Sequence, residues 1–129
     1  MGAHMREAVA ASRALLSLNT NIRGGQQRFR DLRATLYAGV EAMAEGTTRT
    51  QLHRLLAGMD KVYNQKSLHT FRPFVVAFLR TLGEWDDLSA LMKKAGVTAE
   101  HVTFAEKAAH GDLEAQAKFK LSKREPVAK

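Results

Sequence analysis

From Phe71 to Leu82 the chain reads Phe-Arg-Pro-Phe-Val-Val-Ala-Phe-Leu-Arg-Thr-Leu, and its large apolar residues recur with one helical period. Phe71, Phe74, Val75, Phe78, Leu79 and Leu82 occupy the i, i+3, i+4, i+7, i+8 and i+11 positions of a single face. A strand would alternate with a period of two, so the stretch predicts a helix over about residues 70–82. Val76 and Ala77 carry the apolar surface beyond one stripe, which calls for neighbours on more than one side, while Arg72 and Arg80 mark what stays exposed. Thr70 is a candidate N-cap that would put Pro73 in the first turn, where its missing N–H costs nothing.

The rest of the chain repeats this helical signal in shorter pieces. A first helix is expected from Arg6 to about Leu18; it is rich in alanine, which favours helix but buries little. Asn19, Thr20 and Asn21, then Gly24 and Gly25, form breaks. A second helix runs from Gln26 to Ala44 on Phe29, Leu32, Leu36, Val40 and Met43, and Gly46 stops it. A third, capped by Thr47 or Thr48, uses Leu52, Leu55, Leu56 and Met59 and ends near Tyr63, with Gly58 as its weak point. Asn64 to Ser67 form a polar link to the central helix.

Beyond Gly83 a fifth helix takes Trp85, Leu88, Leu91 and Met92, with Asp86 and Asp87 in its first turn and Lys93 and Lys94 in its last, charges that suit the helix dipole. Thr98 opens a sixth, and a short piece follows Gly111 and Asp112. No strand pattern and no fixed repeat competes. The expected fold is therefore all-α, a compact bundle of five to seven helices around the central apolar one. One domain over residues 5–121 is expected, with Met1 to His4 reading as a cloning scar and 122–129 as a basic flexible tail.

Composition bounds the chemistry. The 129 residues include no cysteine, which removes thiolate metal sites, cysteine nucleophiles and disulfides and points to a reducing, cytoplasmic setting. No apolar run approaches the roughly 18–20 residues of a membrane span. His53, His69, His101 and His110 have no histidine partner at i+3 or i+4, and no serine sits in a nucleophile elbow. Neither a metal, a cofactor nor a catalytic dyad is expected, and the chain reads as non-enzymatic.

The net charge of +7 is the feature that speaks to partners, because a basic chain attracts polyanions. Residues 21–83 carry ten Lys/Arg against four Asp/Glu, residues 84–114 three against seven, and residues 115–129 five against one. Three clusters stand out. Arg23, Arg28, Arg30 and Arg33 lie on and before the second helix; Arg23, Arg30 and Arg33 are expected on the side away from Phe29, Leu32 and Leu36. Arg49, Arg54, Asn64, Gln65, Lys66, His69 and Arg72 gather around the polar link, and Lys118, Lys120, Lys123 and Arg124 line the tail. Arginine forks onto phosphate oxygens, and Asn, Gln and His donate to bases.

The link and the helices on either side match a helix-turn-helix only weakly, because the link is longer than the usual three or four residues and the helix after it is too apolar on several faces to lie freely in a major groove. A mainly phosphate-directed, accessory or regulatory nucleic-acid-binding protein is the first expectation. DNA is favoured over RNA because nearly every aromatic falls on an apolar face and only Tyr37, Tyr63 and Trp85 are spare for stacking. The second expectation is a helical adaptor or inhibitor that docks an acidic surface of a partner protein, or a homodimer; the same basic face would serve it.

Overall fold

The computed structural model describes residues 2–19, 23–63 and 71–118. Among these the fold is all-α, with seven helices: α1 Ala3–Leu16, α2 Gly25–Glu41, α3 Thr47–Tyr63, α4 Arg72–Thr81, α5 Leu88–Ala95, α6 Ala99–Ala109 and α7 Leu113–Lys118. The proposed cap Thr70, the polar link 64–67 and the tail 122–129 lie outside the described residues.

The central helix is where the periodicity put it. α4 packs against α1, α3, α5 and α6, and every residue from Pro73 to Leu79 is buried, including Val76 and Ala77. Pro73 sits in its first turn, as its fixed φ and missing N–H favour, and Phe71 occupies the cap position. Phe71, Phe74 and Phe78 are among the largest fully buried side chains, each contributing roughly 1.5–3 kcal/mol of apolar burial.

α4 and α5 both stop on glycine. Gly83 at φ +78° lets the Glu84 N–H reach back to the Leu79 carbonyl at 3.0 Å, and Gly96 at φ +75° does the same for Val97 and Met92 at 2.9 Å. Both are left-handed caps that any side chain would strain. Thr98 caps α6 as expected, its Oγ1 accepting from the His101 N–H at 3.1 Å.

Four details differ from the sequence reading. α1 begins at Ala3, inside the segment set aside as a scar, and it is firmly docked: Ala8, Ser12, Leu15 and Leu16 are buried, and the Ser12 hydroxyl donates to the Ala8 carbonyl at 2.9 Å. α2 ends at Glu41 rather than Ala44, and the Arg49 Nε–H donates to the Val40 carbonyl in its last turn at 3.1 Å. α5 starts only at Leu88: the Leu88 N–H turns back to the Trp85 carbonyl at 3.1 Å, so Trp85, Asp86 and Asp87 form a turn before the helix instead of its first turn.

The fourth concerns Gly58, expected as a weak point of α3. It is a notch: a Cβ there would lie 2.5 Å from Cε1 of the Phe74 ring, so the glycine is what lets α3 and α4 approach. Gly39 does the same for α1 and α2, where a Cβ would meet Ala8 Cβ at 2.7 Å.

Candidate nucleic-acid interface

α2 and α3 run antiparallel, and their side-chain pairs fix the register. At one end Phe29 and Tyr63 stack with ring centroids 3.7 Å apart and planes within 3° of parallel, and Phe71 meets both edge-on at 5.2 and 5.8 Å. The start of α2, the end of α3 and the start of α4 therefore meet at one end of the bundle. Arg23 and Arg28 are exposed there, at and just before the first turns of α2, as is Arg30.

The arginines at this end are held in two directions. The Arg28 side chain lines a groove against α1, with Glu7, Ala10, Ala14 and Thr35 among its walls. Arg30 lies towards α3: its Nη2 donates to Gln27 Oε1 at 2.8 Å, and Gln27 in turn donates to Asp31 at 2.8 Å. Burial pushes the Tyr63 phenol above its ordinary value, and the neighbouring Arg30 charge pulls it the other way. The α2 N-terminus carries no acidic residue in its first turn and no side-chain cap, so its own helix supplies no negative charge to the positive end of its dipole.

Arg33 does not belong to this exposed set. It lies four residues after Phe29, hence on the flank that faces α3. Its Nε and Nη2 donate to the two carboxylate oxygens of Asp60 at 2.7 and 2.8 Å. The Tyr37 hydroxyl donates to the same carboxylate at 2.9 Å, and the Arg33 guanidinium stands 4.6 Å over the Tyr37 ring. The expectation that Arg33 shares a solvent face with Arg23 and Arg30 is corrected accordingly. Its partner is in α3, not in the acidic 84–114 segment. Burial and the bond to Asp60 push the Tyr37 phenol up to about 12. The Asp60 hydrogen bond raises Arg33.

Arg72 is likewise committed inside the protein. Nη1 donates to the Ala95 carbonyl at 3.1 Å and Nη2 to the Leu18 carbonyl at 3.0 Å, tying the ends of α5 and α1 to the start of α4; burial lowers its pKa. Arg49, on the Val40 carbonyl, braces the opposite end of the α2–α3 pair. Arg54 is exposed on α3. Asn64, Gln65, Lys66, His69, Lys120, Lys123 and Arg124 lie outside the described residues, and Lys118 closes α7.

The three aromatics expected to be spare divide. Tyr37 is engaged by Asp60 and Tyr63 by Phe29, whereas Trp85 is 59% exposed, with the Arg80 guanidinium 5.6 Å over its ring. Its exposure follows from the late start of α5. Among the described residues no group of three or more His, Asp or Glu is placed to hold a metal, and no helix is long and apolar enough to cross a membrane. Comparison of the chain with protein-family models, with curated proteins and with solved structures finds no match.

Proposed function

We propose that this chain is a non-enzymatic, accessory or regulatory nucleic-acid-binding protein of the cytoplasm that addresses phosphates, with duplex DNA preferred to RNA. The observation that supports the reading is the convergence at one end of the bundle. Exposed Arg23, Arg28 and Arg30 lie just before or within the first two turns of α2, Arg28 on the α1 side and Arg30 on the side of Tyr63, which with Phe71 flanks the 64–70 segment. Phosphate oxygens are the ligands that both arginine forks and a helix N-terminus favour. Arg33, Arg49 and Arg72 are left out of the interface because each is tied into the fold through Asp60 or a backbone carbonyl.

The test is binding to a short random duplex, a single strand and an RNA hairpin, read by fluorescence anisotropy at about 50 and about 200 mM salt. Neutralising three phosphates weakens duplex binding about 40-fold across that range. Arg28→Glu with Arg30→Glu abolishes it while leaving helical circular dichroism unchanged. No binding to any of the three at the lower salt rejects the reading.

A second reading, a helical module that docks an acidic surface of a partner protein, draws on the same arginines. It is favoured by the exposed Trp85, an amphipathic ring of the kind that anchors protein interfaces. Capture of a protein partner that persists at about 200 mM salt and is lost in Trp85→Ala, with no nucleic-acid binding, selects it.

A further inference from the structure

A cavity of about 290 Å³ lies where the ends of α1 and α5 meet the start of α4, lined by Leu16, Ser17, Arg72, Leu91, Lys94 and Ala95. Its lining includes two cations and no carboxylate. Neither cation forms an ion pair: the one salt bridge among the described residues is Arg33 with Asp60. The guanidinium of Arg72 has five N–H donors, of which the Ala95 and Leu18 carbonyls take two. Its Nε–H is the single buried side-chain donor among the described residues with no acceptor.

Two helix C-termini border the cavity, and each brings roughly −0.5 charge to its surroundings. Against these stand the unit charges of Arg72 and Lys94, so about one net positive charge remains. Two of the carbonyls at these ends, those of Ala95 and Leu18, are already engaged by Arg72. Leu16 and Leu91 supply an apolar wall, which suits a ligand with a short hydrocarbon body better than a bare, fully hydrated ion.

We propose that this cavity binds a small oxyanion carried on a short apolar body, its phosphate or carboxylate held between Arg72 and Lys94. The site is separate from the α2 arginines and independent of the nucleic-acid reading. An anion beside Arg72 supplies a counter-charge to a part-buried guanidinium that has no ion pair among the described residues.

The test is a titration of the full chain with phenyl phosphate, butyrate and inorganic phosphate at constant ionic strength, followed by amide chemical shifts and thermal melting. Saturable shifts at Ser17, Leu91, Lys94 and Ala95 are expected, with a melting temperature raised by about 4–8 °C at ligand near ten times Kd. The order of the three affinities identifies the headgroup and the part played by the apolar body. Lys94→Gln, an exposed substitution, keeps the fold and weakens binding at least about tenfold, the loss of roughly one charge-assisted contact. Shifts that do not saturate, or a Lys94→Gln response equal to that of the parent chain, overturn the proposal.

Discussion

Asp60 gathers two of the side-chain contacts between α2 and α3, since one carboxylate accepts from both Arg33 and Tyr37. Asp60→Ala leaves two half-buried donors without an acceptor and is expected to cost about 1–2 kcal/mol in urea unfolding. Tyr37 itself gives a pH signature. Its folded pKa, about 12, lies above the ordinary 10.0, so the stability of the neutral phenol is intact below about pH 10 and is lost as pH climbs through 12. Tyrosinate absorbance should show Tyr37 ionising near 12, and in Asp60→Asn somewhat lower but still above 10.0, because burial is the larger cause. Arg72 is the other residue on which distant parts depend. Arg72→Met removes two bonds from a charged donor and frees the ends of α1 and α5, a loss of about 2–3 kcal/mol by denaturant titration. No sequence pattern marks either residue, because their partners are 23 to 54 positions away.

The helices themselves were largely legible. The run around Phe74 and Phe78 gave α4 its position and its burial on several sides, since a 3.6-residue period needs no knowledge of neighbours. Thr98 likewise announced α6, because a cap is a local bond. What failed was what depends on packing. Trp85 looked like the first apolar residue of α5, yet the chain turns there and leaves it outside. Arg33 looked solvent-facing, yet it flanks α3. Gly58 looked like a defect by propensity, but its missing Cβ is filled by the Phe74 ring. Gly58→Ala distinguishes the two views by sign: helix propensity alone predicts a gain of about 0.5–1 kcal/mol, and the clash with a buried ring predicts a loss of about 1–3 kcal/mol. Thermal melting should show the loss.

Across the whole molecule the arginines divide by task. Arg33, Arg49 and Arg72 each place at least one donor on Asp60 or on a backbone carbonyl, so substituting them perturbs the fold, whereas Arg23, Arg28 and Arg30 are exposed at one end, Arg30 bonded among the described residues only to its own-helix neighbour Gln27, and their reversal tests binding. The sequence carried the basic balance but not this division, because an arginine reads the same whether its partner is a carbonyl or water. The aromatic triad also bears on how such a protein could change over time. Tyr63 and Phe71 hold the two ends of the 64–70 segment with their ring centroids 5.8 Å apart, and both pack on Phe29. Closing a longer segment between the same anchors adds only about 0.6 kcal/mol for each doubling of its length. The three rings, not the number of residues between Tyr63 and Phe71, thus set the separation at which α3 hands over to α4, and a change in that number leaves the anchor itself unaltered.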